Sequence, residues 1–144
     1  MTKAIPTKSA LFSKFKMDET REENGVWVDF GDDVKIKIRR LKAKASTDAR
    51  AELDKPFANE IRRGTMNPET AKDLALKQVA KGVIADWKGI NFPGEPMLLY
   101  TPENAYRILK ALPELADNII GIAADAEVFK AAMDADAEGN SSAS

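Results

Sequence analysis

Residues Gly25–Arg40 read GVWVDFGDDVKIKIRR, and this stretch decides the fold class. Val26, Val28 and Phe30 alternate with Trp27 and Asp29. After Gly31-Asp32-Asp33, the residues Val34, Ile36 and Ile38 alternate with Lys35, Lys37 and Arg39. A period of two sends successive side chains to opposite faces, so the stretch predicts an antiparallel hairpin over about 26–41. A three-residue loop sets Phe30 opposite Val34, Val28 opposite Ile36 and Val26 opposite Ile38. One face is then wholly β-branched or aromatic. The other face carries Trp27, Lys35, Lys37 and Arg39. A hairpin is not stable alone in water, so its apolar face must lie on helices.

Downstream of Ala45 the pattern is helical. Ser46 or Thr47 can cap a helix over about 47–63, broken near Asp54 by Pro56 and stopped by Gly64. Asn67-Pro68-Glu69 combines a cap, a first-turn proline and an acid at the positive helix end, and opens a helix over about 68–88. Its stripe is Leu76, Val79, Ala80, Val83, Ile84 and Trp87, at helical spacings of three and four. Gly89 ends it, and Asn91–Pro96 is a loop by its turn residues. Thr101-Pro102-Glu103 opens a helix over about 102–112. A last helix over about 113–133 follows, with Leu115, Ile119, Ile122, Ala126, Phe129 and Met133 in line. The expected architecture is α+β, mainly α: an N-terminal β-hairpin packed on four to five helices. A flexible basic arm (1–17) precedes one globular domain (18–134), and a small, polar, disordered tail (135–144) follows. Trp87 is expected in the core and Trp27 nearer the surface.

The chain has 144 residues, 44% hydrophobic and 31% charged, enough for one soluble domain with its own core. It contains no Cys and no His. Thiol nucleophiles, disulfides, imidazole bases and Cys/His zinc sites are therefore excluded. No apolar run is long enough for a signal peptide or a membrane span, so the cytosol is expected. Lys and Arg total 22 against 23 Asp and Glu, a net charge of -1 that predicts no overall attraction to nucleic acid or anionic membrane. Residues 35–44 are nonetheless wholly basic in their charges, whereas 18–33 and the segment from Pro113 onward are mostly acidic. The molecule is dipolar.

The candidate constellations are few. The acids Asp18, Glu19, Glu22 and Glu23 lack the ligand spacing of a calcium loop and read as a solvated linker. Asp32-Asp33 reads as turn chemistry. Ser9 and Ser13 near Lys8 and Lys14 have no apolar pocket to activate them. No phosphate-cradling glycine motif occurs, and no enzyme activity, metal or cofactor is expected. Trp27 with Lys35, Lys37 and Arg39 forms a ribbon that could track phosphates and stack a base. Alternating cations are also the ordinary solvent face of a strand. The last helix is apolar over a wider arc than one stripe, through Ile120, which leaves room for a partner groove or weak self-association.

The order of GVWVDFG (Gly25–Gly31), IKIRR (Ile36–Arg40), ADWKGI (Ala85–Ile90), GEP (Gly94–Pro96), TPENA (Thr101–Ala105) and PEL (Pro113–Leu115) resembles the tail assembly chaperones of long-tailed bacteriophages. The likeness spans roughly Phe15 to Phe129. It implies a protein of the host cytoplasm, absent from the mature virion. Such a protein binds the tape-measure protein, keeps that helical rod soluble and helps recruit tail-tube protein subunits. The family supplies no catalytic residues. The expected partner contacts are Leu11, Phe12 and Phe15 on the arm and Ile120, Phe129 and Met133 on the last helix. A small nucleic-acid-binding or regulatory protein using the basic ribbon is the second reading.

The 68–88 stripe yields a test of its own. Val83→Asp is expected to unfold the chain, because an unpaired carboxylate in a core costs on the order of several kcal/mol. Circular dichroism of the purified variant checks this, and a folded variant of unchanged stability would remove Val83 from the core.

Overall fold

In the computed structural model, which describes residues 9–142, the hairpin forms as β1 (Val26–Gly31) and β2 (Val34–Ile38). Val26 pairs with Ile38 and Val28 with Ile36, as the alternation requires. The tip differs from expectation. Gly31 pairs with Val34, and the register shifts between Asp29 and Gly31 so that Phe30 is an extra, bulged residue. The turn is then two residues, Asp32 and Asp33, with φ of 54° and 65°. Positive φ at both positions gives the mirror-image turn whose twist matches the strands, and Asp tolerates that conformation.

A third strand, β3 (Ile84–Lys88), pairs antiparallel with β2 and completes a sheet of order β1-β2-β3. This corrects the single helix expected over 68–88. The helix, α5, runs from Pro68 to Gln78, passes into one π-helical turn at Val79–Val83, and enters β3 without a loop. Ile84 lies opposite Ile38 and Asp86 opposite Lys37, so Ala85 is an extra residue in β3. That bulge puts Ile84 and Trp87 on one face of the sheet although they are three residues apart.

The other helices are α1 (Ala10–Phe15), α2 (Glu19–Asn24), α3 (Lys44–Asp54), α4 (Ala58–Arg63), α6 (Pro102–Ala111), α7 (Pro113–Ala124) and α8 (Ala126–Ser142). The acids expected as a linker form α2, because Asp18 Oδ1 caps it by accepting from the Arg21 N–H at 3.3 Å. Pro56 sits in a single 3-10 turn between α3 and α4, and Gly64 ends α4 in the left-handed conformation. Ser46 is not the expected cap: α3 starts at Lys44, whose N–H donates to Glu23 Oε2 at 2.8 Å, and Ser46 is buried beneath Gln78. The helix expected over 113–133 is two, broken at Asp125, whose Oδ1 accepts from the N–H groups of Glu127 and Val128. Of the expected arm, residues 10–15 are helical. The expected tail is helical through Ser142. Residues 1–8 and 143–144 lie outside the described residues.

One face of the sheet meets the helices. Ile36, Ile38, Ile84 and Trp87 join Val79, Val83, Ile108, Leu109 and Ile119 in the main core. Phe129 and Met133 of α8 close over Val26 in a second, smaller cluster. Trp87 is 5% exposed, and its Nε1–H donates to the Leu98 carbonyl at 2.7 Å. Trp27, on the opposite face, is half-buried. The fold is α+β and mainly α, as the sequence implies.

α3 crosses the π turn so closely that a Cβ at Gly82 would stand 2.6 Å from Ser46 Cα and 2.8 Å from the Ala45 carbonyl oxygen. Both obstacles are backbone. Gly82→Ala is expected to cost roughly 1–3 kcal/mol by forcing α3 away. Gly121→Ala in α7, where a Cβ meets nothing within 4 Å, should gain roughly 0.5–1 kcal/mol from helix propensity. Urea unfolding of the two variants checks the opposite signs.

Candidate functional site

The basic run 35–44 divides into residues spent inside the fold and residues left on its surface. Arg39 is spent. Its backbone N–H donates to the Val83 carbonyl at 2.8 Å, its Nη1 to the Gly82 carbonyl at 3.2 Å, and its Nε to the Glu23 carbonyl at 2.9 Å. A helix end leaves carbonyls without partners, and Arg39 supplies partners to those of the π turn. It is therefore a brace and not the phosphate contact expected of it. Arg40 is buried against Glu22, with Nε 3.1 Å from Glu22 Oε2, Nη1 donating to the Ala123 carbonyl, and the guanidinium over the Phe129 ring. Lys42 also reaches Glu22, at 3.6 Å, and Lys44 pairs with Asp48 at 2.5 Å. The hydrogen bond from Lys44 to Asp48 raises the pKa of that ammonium.

Lys35 and Lys37 remain on the outer face of the sheet around Trp27, as the alternation placed them. The register joins them to a residue that sequence reasoning missed. Lys35 pairs with Lys88 of β3, and Lys37 lies between Trp27 and Asp86. Lys88 Nζ sits 4.6 Å from the Trp27 ring centroid and Lys37 Nζ 6.0 Å from it. Read as the end of a helix, Lys88 had no reason to face Trp27. Gly89 directly after it was the only hint that the segment was short. The C-terminal half of α8 borders this face: Asp136 Oδ2 accepts from the Trp27 N–H at 3.1 Å and from Arg21 Nη2 at 2.7 Å. Between strand face and helix lies a cleft of about 480 Å³, lined by Trp27, Asp29, Lys35 and Lys88 on one side and by Ala132, Ala135 and Asp136 on the other.

The apolar contact candidates also divide. Leu11, Phe12 and Phe15 on α1 are 64%, 65% and 54% exposed. Ser9 caps α1, accepting from the Phe12 N–H at 3.3 Å, and Lys14 pairs with Glu127 of α8 at 3.0 Å. The helix thus rests on α8 while its large side chains face water. Phe129 and Met133 do not form a partner surface. They are 0% and 7% exposed and belong to the cluster on Val26. Ile120 is half-buried against the main core. The apolar stripe over 113–133 is covered from within the fold: Leu115 and Ile119 pack on the main core, and Phe129 and Met133 on Val26 of β1.

Elsewhere the polar clusters are structural. The Tyr106 hydroxyl donates to Asp73, which holds that carboxyl below its ordinary range and raises the phenol, and Lys77 adds to the effect on Asp73. Burial pushes the Tyr100 hydroxyl up; it lies 2.7 Å from the Ala80 carbonyl and 2.9 Å from that of Ile84, sharing one proton between them. Among the described residues, no group of three or more acids is gathered to hold a metal ion, and no helix is long and apolar enough to cross a membrane.

Residues 41–140, more than half of the chain, fit the family model described as YdaY prophage protein. No curated protein and no solved structure matches.

The division of the apolar candidates is testable by stability alone. Phe129→Ala is expected to cost about 3–5 kcal/mol, as for a fully buried aromatic, whereas Phe12→Ser should change stability by less than about 0.5 kcal/mol. Denaturant midpoints of the two variants decide it. Equal losses would place Phe12 in the core.

Proposed function

The chain belongs to the YdaY prophage protein family and is a phage-derived protein, and on that premise we propose that it is a tail assembly chaperone acting by protein binding alone. It binds the tape-measure protein and helps recruit tail-tube subunits, in the host cytoplasm, without a catalytic step or a cofactor. The observation that carries this reading is α1: six residues whose Leu11, Phe12 and Phe15 are each more than half exposed. Three large apolar side chains held in water on one short helix are an uncompensated hydrophobic surface, and that is what a binding element for an apolar helix presents.

A tape-measure segment offers apolar helical faces until its tube surrounds it, and such faces aggregate unless covered. Many copies of a weak binder along one rod supply avidity without any tight single site. The resemblance in motif order from Gly25 to Leu115 supports the same role. The contact surface in this proposal is narrower than the sequence suggested: Leu11, Phe12 and Phe15 carry it, Ile120 contributes at most its exposed part, and Phe129 and Met133 serve the fold.

Co-expression with the tape-measure protein of the same phage tests the reading. The expected result is that this chain raises the soluble yield of that protein several-fold and co-purifies with it. The variant L11S/F12S/F15S, which leaves the core untouched, should lose both effects. If the tape-measure protein is no more soluble with the chain than without it, and the two do not co-purify, the proposal fails.

A further inference from the structure

The outer face of the sheet is a different surface from α1, and what it offers does not depend on the assembly reading. Of the basic residues around 35–44, Arg39, Arg40, Lys42 and Lys44 are held by carboxylates or carbonyls of the fold. Among the described residues, Lys35, Lys37 and Lys88 take part in none of the ion pairs that occupy other basic residues. Lys88 and Lys37 are in contact with the π system of the half-buried Trp27 indole, and Lys35 lines the same cleft.

The carboxylates nearby each hold a contact within the fold, and Asp136 is also paired with Arg21. Asp29 Oδ1 accepts from the Gly31 N–H at 2.8 Å, Asp86 Oδ1 from the Trp87 N–H at 2.8 Å, and Asp136 from Trp27 and Arg21. Lys35, Lys37 and Lys88 carry the positive charge of this face, set among those carboxylates on a chain whose total is -1. Lys35 and Lys37 are two residues apart on one strand, which sets their stems about 6.7 Å apart along it. A row of cations at strand spacing beside a fixed aromatic ring suits a ligand with repeating anions and flat rings.

We propose that the Trp27, Lys35, Lys37 and Lys88 face, with the cleft between it and α8, binds single-stranded nucleic acid. Lys35, Lys37 and Lys88 neutralise successive phosphates. Lys88 moves from the indole to a phosphate as a base takes its place on the ring. The wall formed by Ala132 and Ala135 of α8 keeps the base against Trp27. Backbone contacts and stacking carry no base code, so binding is indifferent to sequence.

The test uses the whole chain and a labelled oligothymidylate, followed by anisotropy and by tryptophan fluorescence. Three neutralised phosphates on a single strand give a slope of about -2 in log affinity against log salt, so affinity is expected to fall about twentyfold between about 50 and 200 mM salt. Binding should quench the emission of Trp27 while leaving that of buried Trp87. Trp27→Leu should weaken binding about tenfold and remove the quench. K35E/K37E/K88E should abolish binding, whereas K72E/K81E on exposed helical positions should not change it. Circular dichroism shows whether the triple variant is folded; if it is not, Lys88→Ala and Trp27→Leu carry the test. No binding at low salt overturns the proposal, as does binding indifferent to the sheet lysines. Competition by polyglutamate as strong as by oligonucleotide, with no dependence on Trp27, also overturns it and makes this a site for acidic protein segments.

Discussion

A helix that turns directly into a strand must find partners for its last carbonyls, and the junction at Val79–Ile84 does so with two residues. Tyr100 serves the carbonyls of Ala80 and Ile84, and Arg39 serves those of Gly82 and Val83. Buried carbonyls without partners cost on the order of 1–3 kcal/mol each, so the junction exists only where these residues reach it. Each partner brings a segment with it. Arg39 ties the end of β2 and the end of α2 to the junction, and Tyr100 ties down the extended segment between β3 and α6. Gly82 lets α3 approach to backbone contact. Sheet, α3 and α6 therefore meet at the Val79–Ile84 junction, with the main core directly beneath them.

The same junction explains how a helical reading could find the right core and the wrong element. Of the stripe, Val79, Ala80, Val83, Ile84 and Trp87 are buried and Leu76 is partly so. A regular strand would have sent Ile84 and Trp87 to opposite faces. The extra residue Ala85 returns Trp87 to the face of Ile84, and the resulting spacing of three is indistinguishable in sequence from a helical one. What was lost was the outer face: Asp86 and Lys88 became neighbours of Lys37 and Lys35, and Lys88 came to lie on Trp27.

Surface chemistry is what remains after the fold has taken its share. Of six basic residues in the strand and its continuation, the fold engages Arg39, Arg40, Lys42 and Lys44, whereas Lys35 and Lys37 form no ion pair among the described residues. Of six apolar contact candidates, Phe129 and Met133 are consumed by Val26, and α1 keeps the three that face water. The two surfaces differ in their relation to the family match. That match covers the junction, β3 and most of α8 but neither α1 nor the hairpin, so Lys88 lies inside it and Trp27 outside.

The sequence by itself determined the hairpin and its pairs Val26–Ile38 and Val28–Ile36, the starts at Asn67 and Thr101, the stop at Gly64, and most of the main core. All are local: alternation, caps, proline and glycine act within a few residues. Only the tertiary structure decided that 84–88 is a strand, that α8 breaks away at Asp125 to cover β1, and that Arg39 braces the π turn. Each of these turns on partners far along the chain. Ile84 needs Ile38, Phe129 needs Val26, and the carbonyls of Gly82 and Val83 need Arg39. Periodicity reports that a residue is apolar on one side; it does not report what stands opposite.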